Sequence, residues 1–131
     1  MIVIDASALI EALGRTNVAP RVAAHILAPE QTLHAPHIID LEIVQVLRRW
    51  VAAGDITQER GREALADLAA VPLTRYPHVD LLPRVWELRG NLTAYDAAYV
   101  ALAEALDAPL LTRDRRLAAA VGHRARIELV A

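Results

Sequence analysis

The sequence contains no cysteine and no lysine among its 131 residues. Without cysteine the chain forms no disulfide and holds no zinc through thiolates, so any metal must be bound by oxygen or imidazole ligands. All 14 basic side chains are arginines, and 16 acids outnumber them. The resulting net charge of −2 lacks the basic surplus of a general nucleic-acid-binding protein. Affinity for a polyanion therefore depends on local arginines or on bound metal.

Long apolar segments and a basic leader are absent as well. Although 55% of the residues are hydrophobic, charged residues interrupt every apolar stretch short of the roughly 20 residues that cross a bilayer. The first apolar residues run directly into Asp5 without a basic segment or a cleavage signal. We therefore expect a cytoplasmic protein without membrane association. The high apolar content also predicts a surface that contacts a partner or a second copy.

Several enzyme classes lack the residues that they require. The five glycines are scattered and form no phosphate-binding loop, which argues against a nucleotide-driven switch or a dehydrogenase. Ser7 is the only serine and has no flanking glycines, so a serine hydrolase is unsupported. His34 and His37 are the only closely spaced histidines, and no HExxH motif is present. Packing or surface roles are therefore favoured over zinc binding for the histidines.

Strand-like and helix-like segments alternate along the chain. The predicted strands are 2–4, 32–35, 72–76, 109–112 and 127–130. The predicted helices are 6–13, 20–27, 36–53, 57–70, 81–89, 93–106 and 114–121. The alternation predicts a parallel β-sheet sandwiched by α-helices and linked by right-handed crossovers. We expect one α/β domain over residues 1–131.

Four acids follow predicted strands or begin predicted helices. Asp5 ends the first strand and Asp114 follows the strand 109–112. Asp96 lies in the first turn of its helix, and Glu42 lies early in the helix that starts near Pro36. The carboxyl ends of parallel strands and the amino ends of the next helices share one edge of the sheet. All four acids can therefore face one cleft.

Each acid also has a structural explanation when it is taken singly. Asp is a preferred N-cap, and acids near helix starts are favoured by the helix dipole. Asp96 follows Thr93 at the spacing of a capping box. Asp40 and Glu42 lie on opposite flanks of the apolar stripe of their helix, so helical geometry does not choose between them. The joint placement of the acids is what points to a site.

A cluster of carboxylates in one cleft repels itself and takes up protons unless cations neutralise it. Carboxylate oxygens are hard ligands that suit Mg²⁺, with Mn²⁺ as an alternative. Such ions hold a phosphate and lower the pKa of an attacking water. The acids therefore predict metal-dependent hydrolysis of phosphodiester bonds.

Four segments closely resemble PIN-domain proteins. They are residues 3–9, 36–47, 92–103 and 111–114. The resemblance spans nearly the whole chain, and at this length it is to the VapC toxins of VapBC toxin–antitoxin pairs. It implies the fold of that family, a parallel sheet between layers of helices.

The resemblance also implies roles for individual residues. The metal-binding catalytic acids implied by it are Asp5, Glu42, Asp96 and Asp114. It thus favours Glu42 over Asp40. The polar helpers that orient carboxylates or water are Ser7 and Thr112. The candidates for contacts with RNA phosphates, for which a solvated helix start is the simpler explanation, are Arg113, Arg115 and Arg116.

The function implied by this resemblance is that of an Mg²⁺- or Mn²⁺-dependent endoribonuclease. The enzyme would inhibit translation and growth when it is free of a cognate VapB-like antitoxin, and it would form a homodimer. Two alternatives stay open from the sequence. One is a PIN nuclease that acts in RNA processing, and the other is a non-catalytic interaction module whose acidic cleft receives a partner's arginine.

Two further readings of an acid at the end of a first strand are disfavoured. Haloacid-dehalogenase-like phosphatases and receiver domains both resemble this start, yet both rely on a lysine beside the phosphoryl group, and this chain has none.

The few aromatic side chains are expected to pack in the core or in an interface. An exposed one would be a candidate for stacking on a base.

Overall fold

The computed structural model describes residues 1–131 as five strands and seven α-helices in alternation. The strands are β1 (Ile2–Ile4), β2 (Leu33–Pro36), β3 (Leu73–Tyr76), β4 (Leu110–Thr112) and β5 (Ile127–Leu129). The helices are α1 (Ala6–Leu13), α2 (Ala19–Ile26), α3 (Ile38–Ala52), α4 (Gln58–Ala70), α5 (Leu82–Glu87), α6 (Ala94–Leu106) and α7 (Arg115–Ala119). The α/β class is confirmed.

All five strands pair in parallel, in the order β3-β2-β1-β4-β5. The chain leaves β1 towards β2 and β3, and it later crosses to the other side of β1 to add β4 and β5. The strand order therefore reverses between β1 and β4. In open α/β sheets a crevice forms at the carboxyl ends of the strands at such a reversal. The predicted acids lie around this crevice.

The core is built from the two central strands and the helix that packs on them. The side chains of β1 are buried, as are those of β4. In α6, every residue from Ala97 to Ala103 is buried, and four of these seven are alanines. Small side chains let this helix lie close to the sheet, and its nearly uniform apolar character fits this burial. No helix combines the length and apolar character needed to cross a membrane.

Three predicted helices differ from the observed ones by two residues at one end, among them the helix predicted over 114–121, which ends at Ala119. The helix predicted over 36–53 starts at Ile38, because Pro36 is the last residue of β2 and pairs with Tyr76 of β3. The helix predicted over 81–89 is shorter and divided into a 3-10 turn at Val79–Leu81 and α5. Proline in the first turn of α5 fits this start, because proline lacks the N–H that a preceding helical turn would need.

The aromatic side chains divide between the interior and the surface. Tyr99 is only 1% exposed, whereas Tyr95 is 62% and Trp86 is 67% exposed. The guanidinium of Arg89 lies 4.3 Å from the ring centre of Trp86 and covers one of its faces. Tyr95 and Trp86 therefore lie outside the core of the single chain, and packing of these two side chains in an interface stays a prediction. Tyr95 has no such cover.

A nearly buried carboxylate joins α5, α6 and the C-terminal segment. The side chain of Glu104 is 4% exposed. It accepts hydrogen bonds from Arg84 Nε at 2.7 Å and Nη2 at 3.0 Å, and from the backbone N–H of Arg124 at 2.7 Å. Arg84 lowers the pKa of Glu104 below its ordinary value of 4.5. The charged form of Glu104 thus stabilises the folded chain.

Replacing Glu104 by Gln should lower the free energy of unfolding by roughly 2 kcal/mol at neutral pH, since it removes charge-assisted hydrogen bonds. A carboxyl with a lowered pKa in the folded state stabilises above its unfolded pKa, and this contribution is lost as the pH falls through the folded pKa. The difference between wild type and Glu104→Gln in urea unfolding should therefore narrow below about pH 4.

Glu87→Gln is the matched control, because Glu87 pairs with the same arginine but its side chain is 64% exposed. Glu87→Gln should lower the free energy of unfolding by less than about 0.5 kcal/mol. A difference between Glu104→Gln and wild type that stays constant down to about pH 3 would contradict the assigned charge state.

Candidate active site

A cleft of about 430 Å³ opens at the carboxyl ends of β1 and β4, between α3 and the start of α6. All four predicted acids line it. They are Asp5, Glu42, Asp96 and Asp114. The structure therefore brings together, from four separate parts of the chain, the carboxylates that the sequence predicted to converge.

Asp5 is the most buried of the four, at 6% exposure, and hydrogen bonds fix its orientation. Its Oδ1 accepts from the hydroxyl of Ser7 at 2.6 Å and from the N–H of Ala8 at 3.1 Å, so Asp5 also caps α1. Its Oδ2 accepts from the hydroxyl of Thr112. Ser7 in turn accepts from the N–H of Arg113 at 2.9 Å. Both predicted polar helpers thus contact the carboxylate of Asp5.

Glu42 has a partner that the sequence analysis did not identify. The hydroxyl of Tyr99 donates to Glu42 Oε1 at 2.5 Å, across the space between α6 and α3. The carboxylate of Glu42 is therefore held by a buried donor. A signal was present in the spacing, because residues three apart in a helix share a face, so Tyr99 follows Asp96 on the side of α6 that faces the cleft.

Helical geometry alone did not choose between Asp40 and Glu42, and the fold now separates them. Asp40 accepts two hydrogen bonds from Arg75 of β3, at 2.7 Å from Nε and 2.9 Å from Nη2. Its charge is thereby balanced away from the cleft. Glu42, on the other flank of α3, is the acid that lines the cleft.

The remaining two acids begin helices, as their structural explanation required. Asp114 caps α7 by accepting at Oδ1 from the N–H groups of Arg116 at 2.9 Å and Leu117 at 3.4 Å. Its Oδ2 accepts no hydrogen bond from the protein. Asp96 lies in the first turn of α6, where its own N–H donates to the Thr93 hydroxyl at 3.2 Å. Capping and a place in the cleft are therefore compatible.

Burial and mutual repulsion disfavour the charged forms of the cluster. Burial raises the pKa of Asp5 despite its three donors, and the charge of Asp96 adds to the rise. Burial also raises the pKa of Glu42, which the Tyr99 hydrogen bond opposes. The pKa of Asp96 is raised by burial and then by the nearby charge of Asp114. The cleft thus concentrates negative charge where water screens it poorly.

The donors in the cleft fit a hard divalent cation. All four are carboxylates, which Mg²⁺ and Mn²⁺ prefer, and the cleft contains no cysteine or histidine. In the structure no group of three or more carboxyl or imidazole side chains lies close enough together to hold a metal ion. Mg²⁺ usually keeps several waters and binds one or two carboxylates directly. An ion with a partly aqueous shell therefore suits this arrangement, and ligation by the four acids stays a prediction.

The three arginines proposed to contact RNA lie outside the lining of the cleft. Arg113 is held by Glu11 at 3.0 Å, so its charge is already balanced. Arg115 and Arg116 are exposed at the start of α7, which agrees with a solvated helix start. Their contact with RNA stays a prediction. The arginine that does line the cleft is Arg49 of α3, which the sequence analysis did not single out.

Residues 2–122 match the family model of the PIN domain. Ribonuclease VapC1 of Mycobacterium tuberculosis is 46% identical over 129 residues, which cover 98% of this chain and 96% of the relative. Ribonuclease VapC12 of the same species is 40% identical over the full length of both chains. The resemblance inferred from the four sequence segments is therefore confirmed.

The fold agrees with this relationship. The crystal structure of VapBC2 from Rickettsia felis, bound to a DNA fragment from its promoter, aligns with a TM-score of 0.70. The alignment covers 98% of both chains at 16% identity, so it bears on the fold alone. On its sequence and its fold, this chain belongs to the PIN-domain family, within its VapC branch.

Proposed function

We propose that this protein is an Mg²⁺- or Mn²⁺-dependent endoribonuclease that hydrolyses phosphodiester bonds in its cleft. The observation that carries the proposal is the convergence of four carboxylates on one cleft, where burial raises the pKa of Asp5, Glu42 and Asp96. Close relatives of nearly the same length are named ribonucleases, which supports RNA as the substrate. Without a cation the same acids would repel the RNA backbone, so the metal serves binding as well as catalysis.

The residues of the cleft have distinct tasks in this proposal. Asp5, Glu42, Asp96 and Asp114 would hold the metal, which when bound supplies positive charge to the phosphate and acidifies an attacking water. Ser7 and Thr112 fix the carboxylate of Asp5, which preserves its direction when RNA enters. Tyr99 does the same for Glu42. Such outer hydrogen bonds orient ligands and tune their basicity.

We further propose that the enzyme acts as the toxin of a VapBC pair in the cytoplasm, inhibiting translation and growth unless a VapB-like antitoxin binds it. The support comes from the solved VapBC2 complex, whose toxin shares the fold, and from the VapC relatives. Exposed apolar side chains such as Leu27, Leu82 and Val121 leave surface for an antitoxin and for a second copy in a homodimer.

Purified, antitoxin-free protein should cleave RNA when Mg²⁺ or Mn²⁺ is present and should stop when EDTA removes the metal. Asp96→Asn should reduce the rate by more than about 100-fold, since it removes a carboxylate proposed to hold the metal. Electrophoresis of total RNA measures both effects. RNA cleavage that survives both EDTA and Asp96→Asn would contradict the proposal. If the protein cleaves no RNA and its cleft binds a partner's arginine, an interaction module is supported instead.

Asp40 and Glu42 provide a matched pair on one helix. Mg²⁺ should raise the melting temperature of the wild type and of Asp40→Asn, because an ion that binds only the folded state stabilises it. Glu42→Gln should reduce this rise by at least about half, since Glu42 lines the cleft and Asp40 does not. Differential scanning fluorimetry at several Mg²⁺ concentrations measures the shift. Equal shifts in the two variants would contradict the assignment of Glu42.

Tyr99→Phe should lower the cleavage rate by about tenfold, the usual scale for losing a hydrogen bond to a metal-binding carboxylate. The ring stays in the core, so the melting temperature should change little beyond the loss of one hydrogen bond. The apparent affinity for Mn²⁺ should weaken together with the rate, which separates an effect on Glu42 from a general loss of structure. An unchanged rate and Mn²⁺ affinity would show that Tyr99 only packs.

A further inference from the structure

Two exposed apolar side chains lie on opposite walls of the cleft. Tyr95 of α6 is 62% exposed and Leu41 of α3 is 67% exposed, and both line the same space as the four acids. The tyrosine immediately precedes Asp96, and both residues line the cleft. Neither side chain contributes to the buried core. Apolar surface at this place is therefore available to a ligand in the cleft.

A free cation lies along the same wall. Arg49 of α3 lines the cleft, is exposed and takes part in none of the ion pairs of the molecule. It follows Glu42 by seven residues, which places the two on one face of the helix with their Cα atoms about 10 Å apart along its axis. The four acids thus do not neutralise this arginine. It is available to an anion that extends beyond the reaction centre.

We propose that the cleft contains a nucleotide subsite, which binds an unpaired nucleotide of the RNA next to the bond that is cut. The subsite is formed by Tyr95, Leu41, Gln45 and Arg49. The ring of Tyr95 stacks on the base, and the guanidinium of Arg49 pairs with a flanking phosphate. The subsite rests on the proposed ribonuclease function and adds to it a recognition element for the substrate.

The chemistry of these side chains fits an unpaired nucleotide better than a base-paired one. An aromatic ring stacks on the face of a base, and this face is free only when the base is unpaired. Leu41 supplies apolar surface across the cleft, and the amide of Gln45 can both donate and accept hydrogen bonds at the edge of a base. A guanidinium pairs with phosphate oxygens through two parallel hydrogen bonds.

The charge of the subsite also argues against a protein surface as the first occupant. The cleft is lined by four acids and, further along α3, by one arginine that makes no ion pair. An RNA strand with bound metal would satisfy both, because a cation held by the acids would supply positive charge for one phosphate while Arg49 would bind a flanking one. A second copy of the chain would instead cover Tyr95 and Leu41 by apolar packing. The oligomeric state of the protein would then depend on these two side chains.

Binding of a fluorescein-labelled single-stranded RNA, measured by anisotropy in a Glu42→Gln background with Mg²⁺ present, tests the stacking contact. Tyr95→Ala should weaken binding by about 30-fold, the middle of the range for one base stacked on an aromatic ring. Tyr95→Phe should bind like the parent, because the ring is kept. Trp86→Ala is the matched control, since Trp86 is equally exposed but lies on α5 outside the cleft.

The salt dependence of binding tests the phosphate contact. Loss of one phosphate contact to a single strand lowers the slope of log K against log salt concentration by about 0.7. Arg49→Ala should show this decrease together with weaker binding. Arg48→Ala should show neither, because Arg48 is its exposed neighbour on the same helix but faces α4 rather than the cleft.

Several outcomes would overturn the subsite. Equal RNA binding by Tyr95→Ala and Tyr95→Phe would contradict the stacking contact with the base. Equal salt slopes for Arg49→Ala and Arg48→Ala would contradict the phosphate contact. A change of oligomeric state in Tyr95→Ala by light scattering would assign the ring to a protein interface. These measurements need no catalysis, so they are separate from cleavage by the wild type. If the wild type cleaves no RNA, the proposed ribonuclease function is overturned. If the binding measurements on the variants fail, only the proposed subsite is overturned.

Discussion

The structure depends on one electrostatic constraint, the gathering of carboxylates where the sheet reverses its strand order. Asp5 ends β1, Asp114 follows β4, and α3 and α6 add Glu42 and Asp96 to the same crevice. Burial raises the pKa of three of these acids, so their charged forms are held at a cost. A cation is the simplest source of compensation. The supporting hydroxyl groups keep the carboxylates in place for it.

Stability and chemistry share the same side chains in this cleft. Asp5 caps α1 and Asp114 caps α7, while both line the space where we propose that RNA is cut. A capping acid is anchored by the backbone of its helix, so its position is fixed without further side chains. Asp114 uses one oxygen for the cap and keeps the other free. The simple structural explanation and the functional one therefore describe the same residues.

Much of the fold and of the acidic cluster could be predicted, because both depend on local patterns. Alternating strands and helices imply a parallel sheet, and acids at strand ends then share an edge. Helical geometry left Asp40 and Glu42 equivalent, and only the family resemblance favoured Glu42. The physical reason is a tertiary contact, since the pairing of Asp40 with Arg75 joins helix to strand. Tyr99 looked like core because its ring is core, and only its hydroxyl reaches the cleft. The split helix near Val79 had no clear periodic signal.

Calorimetric titration of the metal-free protein with Mn²⁺ measures directly whether the carboxylates of the cleft hold a cation. Binding should be saturable, lost or strongly weakened in Asp96→Asn, and retained in Asp40→Asn, whose acid is paired with Arg75 outside the cleft. Equal binding by both variants, or RNA cleavage by protein that binds no Mn²⁺ or Mg²⁺ at all, would contradict the proposed metal site. In that case the acids would have to be neutralised by another partner.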